Sequence, residues 1–215
     1  MALTNVTSSQ ASTKHFFLFP ANIIGFIRIA LLVSLFATLR QYPMISVSIY
    51  SAVLLLDGVD GYLARRFNQT TAFGTILDMI TDRASVALLL LVLSIIDQAR
   101  WWLYASLLLI DLSSHLAIIY STAIAQKQSH KQTLMQSHAI MKLYYGKRWF
   151  LSLICASHDF CLCAIYLYIF MPSAALLWCM SILSIGLLIK TYIHLLQLYY
   201  AFKIASHKDV FFTNK

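Results

Sequence analysis

Six apolar stretches, each close to or above 20 residues, alternate with polar connections along this 215-residue chain. About 20 apolar residues are what a helix needs to cross the hydrocarbon core of a bilayer. The pattern predicts helices at about 22–39, 45–66, 74–96, 101–125, 149–170 and 174–202. Arg40 and Pro43 end the first, the polar run FNQTTAF forms a tight hairpin between the second and third, and Met171-Pro172-Ser173 breaks the chain before the sixth. The longest polar connection runs from Gln126 to Lys147, and the aromatic segment from Phe16 to Pro20 is expected at headgroup depth. Residues 1–15 read as a flexible polar tail and residues 205–215 as a second tail. Residues 16–204 are then one domain of six transmembrane helices, an all-α integral membrane protein. No repeat is visible. No cleavable signal peptide is evident either, so the first helix is expected to be retained as an anchor.

Composition agrees with lipid as the main solvent. Hydrophobic residues make up 60% of the chain, charged residues 11%, and the mean hydropathy is +0.74. Soluble domains carry roughly a quarter charged residues. Pro and Gly number only 3 and 6, which suits long helices better than a barrel. The formal charge of +8 does not mark a nucleic-acid binder, because the Lys and Arg residues lie between apolar runs rather than on one soluble face. They orient the chain instead. With both tails, the 66–73 hairpin and the 126–148 connection on one side, eleven Lys and Arg lie there, only Arg40 and Arg100 lie opposite, and Arg28, Arg83 and Lys190 fall within spans. The positive-inside rule places that richer side, with both termini, in the cytosol. Cys155, Cys161, Cys163 and Cys179 fall in apolar runs without metal-finger spacing and are expected to be reduced, buried and inert.

All eight acidic residues are Asp, and four of them, Asp57, Asp60, Asp78 and Asp82, share a 26-residue window around the hairpin. Burying a carboxylate in a bilayer is costly, so such residues point to function. Asp57 and Asp60 are three apart and Asp78 and Asp82 four apart, so each pair shares a helix face. Both pairs lie near the same hairpin, where the two faces can converge at the cytosolic end. Gly61 and Ala64 continue the first face with small side chains and leave room for a bulky ligand. Four clustered carboxylates repel one another and tend to take up protons. A divalent cation removes that repulsion, and oxygen ligands without His or Cys point to Mg²⁺ or Mn²⁺. Mg²⁺ commonly completes its shell with substrate phosphate, which implies a phosphoanhydride substrate. The alternative is a set of charges paired with Arg65, Arg66 and Arg83.

The window also fits DxxDGxxARx₈GxxxDxxxD, read here as Asp57, Asp60, Gly61, Ala64, Arg65, Gly74, Asp78 and Asp82. This resembles the signature of the CDP-alcohol phosphatidyltransferases, whose six-helix topology the spans also match. From Pro20 to about Lys203 the chain is similar to eukaryotic phosphatidylinositol synthases, through NIIGFIR (22–28), NQTTAFGTILDMITDRAS around the hairpin, DLSSH (111–115), SHK (129–131) and Tyr144–Tyr145. Pro20 and Asn22 are separated by Ala21, where the family places Pro directly before Asn. The resemblance implies an enzyme that transfers the phosphatidyl group of CDP-diacylglycerol to myo-inositol and releases CMP. It implies that Asp57, Asp60 and Asp78 hold two metal ions, with Asp78 shared, and that Asp82, counted with them in the metal site, is the catalytic base. Gly61, Ala64, Arg65 and Gly74 would line the CDP moiety, with Asn22 and Arg28 reaching the diphosphate; the alternative for the last two is a polar packing contact. Ser114, His115, Lys131, Tyr145 and Arg148 are candidates for the inositol hydroxyls. A homodimer in the endoplasmic reticulum membrane is the family expectation.

Three other readings fit parts of the pattern. Within the family, another acceptor would yield phosphatidylglycerol phosphate, phosphatidylserine or an aminoalcohol phospholipid, and a phosphorylated acceptor would need extra cationic residues near Asp82. A cation-coupled transporter would use the acids to bind its ion, but these cluster at one membrane face and no inverted repeat is visible. A prenyltransferase lacks the Gly-x-x-Ala-Arg element.

Overall fold

The computed structural model describes residues 17–125 and 138–213. Its helices are α1 (Pro20–Thr38), α2 (Pro43–Arg66), α3 (Ala72–Ile96), α4 (Trp101–Ala125), α5 (Ala139–Gly146), α6 (Arg148–Phe170) and α7 (Ala174–Thr213). All except α5 are long and apolar enough to span a bilayer. Pro20 and Pro43 stand at the first positions of α1 and α2, where a missing N–H costs nothing. Each long helix also exposes large apolar side chains, among them Phe36, Leu55, Ile95, Leu116, Leu153 and Trp178, as lipid contact requires.

The hydropathy pattern placed the spans to within a few residues but missed two features. The last helix continues to Thr213, so residues 205–213 prolong it rather than form a separate tail. No Gly or Pro follows Gly186 up to that point, and nothing in the sequence stops the helix. Within the long polar connection, α5 forms one short amphipathic segment that buries Met141 and Tyr144. Two apolar anchors three residues apart are too few to register as a period. The N-terminal tail and Lys131 lie outside the described residues.

The chain divides into two units, residues 1–88 and 89–215. In the first, α1 packs along α2 and buries Asn22, Gly25, Arg28, Leu32 and Leu35, spaced by three and four on a single face. In the second, α7 packs along α4 and α6, and Met141, Tyr144, Ile154, Ile193 and Tyr200 make a core with α5 laid across it. Cys161 and Cys163 are buried and all four cysteines are free thiols, but Cys179 is exposed, contrary to expectation.

Asp97 opens the second unit's first connection. The sequence suggests a plain loop charge, yet it is buried: Arg100 Nε donates to its Oδ2 at 2.6 Å and Tyr104 Oη at 2.7 Å. Burial alone would push this carboxyl up, but the bonds from Tyr104 and Arg100 and the Arg100 charge hold it below the usual carboxylate range. A lowered folded pKa stabilises the fold above the unfolded value and is lost as pH falls through the folded one. Asp97→Ala should therefore cost roughly 1–3 kcal/mol at neutral pH, and the difference from wild type should shrink in acid. Thermal unfolding in detergent across pH measures both.

Candidate functional site

The hairpin between α2 and α3 is set locally. Arg65 and Arg66 end α2, where the helix dipole favours cations. Asn68 takes the left-handed conformation at φ 52°, which Asn tolerates better than most residues, and turns the chain. Thr71 then caps α3, its Oγ1 accepting the Gly74 N–H at 3.0 Å. The two aspartate pairs are thereby brought to one end of neighbouring helices, as their spacing predicts.

Their convergence has a specific agent, Arg28 of α1. Its Nη1 contacts Asp60 Oδ2 and Asp78 Oδ1, both at 2.9 Å. Its Nη2 contacts Asp57 Oδ1 at 2.8 Å and Asp82 Oδ1 at 2.6 Å. Each terminal nitrogen therefore bridges one acid of α2 and one of α3. The Arg28 side chain is 1% exposed, while those of Asp57, Asp78 and Asp82 are 40%, 50% and 36% exposed. The guanidinium lies beneath the carboxylates and the acids remain open on their other side. A single guanidinium thus faces four carboxyl groups. Oxygens of Asp57, Asp60 and Asp78 lie within 4.8 Å of one another and could hold an ion between them. All are hard donors, which suits Mg²⁺ or Mn²⁺.

Beside the acids is a cleft lined by Asn22, Asp60, Gly61, Ala64, Arg65, Gly74 and Asp78 together with Gln69, Thr70, Thr71 and Thr75. Six of the eight patterned positions line it; Asp57 and Asp82 do not. Arg65 folds back along α2, close enough that a Cβ on Gly61 would lie 3.2 Å from its Nη1. Arg66 instead donates to Tyr62 Oη at 2.8 Å. The hairpin's Gln and Thr residues were not singled out by the sequence, although the polar NQTT run was the available signal. Gly74 is required by close approach, since a Cβ there would stand 2.7 Å from Asn22 Oδ1. Gly74→Val should push Asn22 and α1 away, cost roughly 1–3 kcal/mol and weaken ligand binding in the cleft. Thermal unfolding and nucleotide titration measure the two effects separately.

The second unit holds another polar cluster. Ser114 and Asp111 are buried on α4, with Ser114 Oγ donating to the Asp111 carbonyl at 2.8 Å. His115 Nδ1 lies 2.9 Å from the same carbonyl, and His194 Nδ1 of α7 lies 3.3 Å from Asp111 Oδ1. Nearby on α6 and α7, His158 Nδ1 is 2.7 Å from Asp159 Oδ1, and Lys190 Nζ is 3.2 Å from that His158 nitrogen. A lysine inside a span is expected to snorkel toward the interface, but Lys190 is 2% exposed with its ammonium 3.7 Å from Asp159. Tyr145 Oη accepts a hydrogen bond from Gln197 at 2.7 Å, whereas Arg148 is exposed at the start of α6. Asp111, His194, His158 and Asp159 were not proposed from the sequence as site residues. Polar residues at i, i+4 and i+7 of the last span, Lys190, His194 and Gln197, were the available signal.

Residues 18–201 match the CDP-alcohol phosphatidyltransferase family. The chain is 31% identical to the CDP-diacylglycerol–inositol 3-phosphatidyltransferase of Saccharomyces cerevisiae, covering 96% of this chain and 94% of the yeast protein. It is 31% identical to the human protein of the same name over 86% of each chain. It is 42% identical to CDP-diacylglycerol–inositol 3-phosphatidyltransferase 1 of Arabidopsis thaliana over 66% of this chain and 62% of that one. No solved structure matches. Six apolar helices, a patterned aspartate cluster joined across two of them, and a match over most of the chain agree: it belongs to the CDP-alcohol phosphatidyltransferase family.

Proposed function

We infer that the chain is a CDP-diacylglycerol–inositol 3-phosphatidyltransferase, a membrane enzyme that makes phosphatidylinositol. What supports this reading most is the full-length similarity to the yeast enzyme of that name in a chain whose eight patterned positions surround one end of α2 and α3. Its substrates are CDP-diacylglycerol, drawn from the bilayer, and myo-inositol.

Gly61, Ala64 and Gly74 offer the nucleotide a surface without bulky side chains, and Arg65 offers a planar fork to phosphate oxygens. Asn22, at the floor of the same cleft, supplies an amide. Asp57, Asp60 and Asp78 would hold the metal, and Mg²⁺ or Mn²⁺ bound there would neutralise the diphosphate and the charge that develops on it. Asp82 is the general base. Arg28 engages its Oδ1, and its other oxygen takes the proton from the acceptor hydroxyl. The acceptor oxygen then bonds the β-phosphorus, the bond from that phosphorus to CMP breaks, and CMP leaves. Positioning and charge stabilisation carry most such reactions.

Inositol is neutral and needs paired donors and acceptors rather than added cations. Ser114, His115, Lys131, Tyr145 and Arg148 are proposed to contact it, and Asp111 and His194 join them through their association with His115. The enzyme is proposed to work as a homodimer in the endoplasmic reticulum membrane, with its aspartates and both termini in the cytosol.

The test is an acceptor panel. Purified protein with Mn²⁺ and CDP-diacylglycerol should incorporate labelled myo-inositol into lipid, and not serine, glycerol 3-phosphate or inositol 1-phosphate. Incorporation of one of those, with myo-inositol inert, would overturn the acceptor assignment.

A further inference from the structure

We propose that Arg28 is a positioning residue for the metal centre, an internal cation that holds four carboxylates in register and shares their oxygens with the divalent ion. The proposal rests on the reading that Asp57, Asp60 and Asp78 hold that ion.

The geometry is that of a clamp between helices. Arg28 stands on α1, yet each of its terminal nitrogens spans the α2–α3 pair, one through Asp60 and Asp78 and the other through Asp57 and Asp82. Each carboxylate gives it one oxygen. Such bridging needs a planar fork, because a lysine ammonium is a single point charge that cannot present two separated nitrogens. Arg28 is also unable to retreat into water: it is 1% exposed, on the buried face of α1 between Gly25 and Leu32. Its charge lessens the repulsion among the acids, while the oxygens of Asp57, Asp60 and Asp78 stay close enough together to hold a cation. Both of its terminal nitrogens are engaged by the carboxylates rather than left free for a substrate diphosphate.

Because Arg28 and the metal act on the same carboxylates, removing one makes the fold lean more on the other. Arg28→Gln removes the guanidinium that faces all four acids, so bound metal matters more to the fold. Full-length wild type, Arg28→Gln and Arg28→Lys, each in detergent, are compared by thermal unfolding in EDTA and in saturating Mn²⁺. Arg28→Gln should unfold at least about 4 °C below wild type in EDTA, and Mn²⁺ should close at least half of that gap. Arg28→Lys keeps the charge but not the fork and should fall between the two, which preserves the test if the glutamine variant does not fold. Equal midpoints in EDTA, or a gap that Mn²⁺ leaves unchanged, overturn the proposal. So does a raised KM for CDP-diacylglycerol with an unchanged Mn²⁺ response, which would make Arg28 a substrate contact. A wild type whose midpoint does not respond to Mn²⁺ at all overturns the metal reading beneath it.

Discussion

Asp82→Asn should lower phosphatidylinositol formation about 10³-fold while CDP-diacylglycerol still binds, because a positioned general base typically contributes 10²–10⁴-fold. The substitution is close to isosteric. The amide oxygen can still accept from Arg28 Nη2, which lies 2.6 Å from Asp82 Oδ1, so the α1–α3 link is kept. What is removed is the capacity to take a proton, together with the carboxylate's negative charge. Asp82 does not line the cleft of patterned small residues, and it is outside the group of three acids whose oxygens lie within 4.8 Å. Binding of nucleotide and of metal should accordingly change little. Initial rates with labelled inositol, beside nucleotide titration by calorimetry, separate the two effects. Near-normal turnover in Asp82→Asn would remove the residue from the base role.

Asp78→Asn should also abolish turnover, for a different reason. Asp78 is the most exposed of the four acids at 50%, belongs to the metal-competent triad and lines the cleft. It is the carboxylate best placed to meet an ion and a nucleotide together. Loss of even an outer-shell partner typically costs 10–100-fold in metal affinity, so loss of a direct carboxylate should cost more than about 100-fold. Mn²⁺ titration followed by electron paramagnetic resonance reads this without reference to activity. The two variants should thus divide: Asp82→Asn binds Mn²⁺ and does not turn over, whereas Asp78→Asn does neither.

The spacing of the acids made much of this site readable in advance. Intervals of three and four place carboxylates on single helix faces, and a short hairpin forces two such faces together. Those are local consequences of helix geometry. Arg28 was visible as a costly intramembrane cation, but not as the partner of all four acids, which lie from 29 to 54 positions along the chain. That pairing is tertiary, and no local period encodes it. Gly74 was legible as a patterned position, while its cause, the side chain of Asn22 pressed against α3, was not. The polar interior of the second unit was read only in part. Ser114 and His115 stood out within DLSSH, whereas Lys190 resembled a snorkelling residue until α6 supplied His158 and Asp159 against it. Boundaries were readable wherever Pro or a polar hairpin stopped a helix. At the C-terminal end no such residue intervenes, and α7 runs on.

This chain transfers the phosphatidyl group of CDP-diacylglycerol to inositol and releases CMP. Product stoichiometry tests it most directly. Purified protein in liposomes with CDP-diacylglycerol, Mn²⁺ and labelled myo-inositol is followed for labelled lipid and for released CMP. One CMP should appear for each labelled phosphatidylinositol, and both should be lost in Asp82→Asn. CMP released without labelled lipid, or labelled lipid formed without CMP, would contradict it.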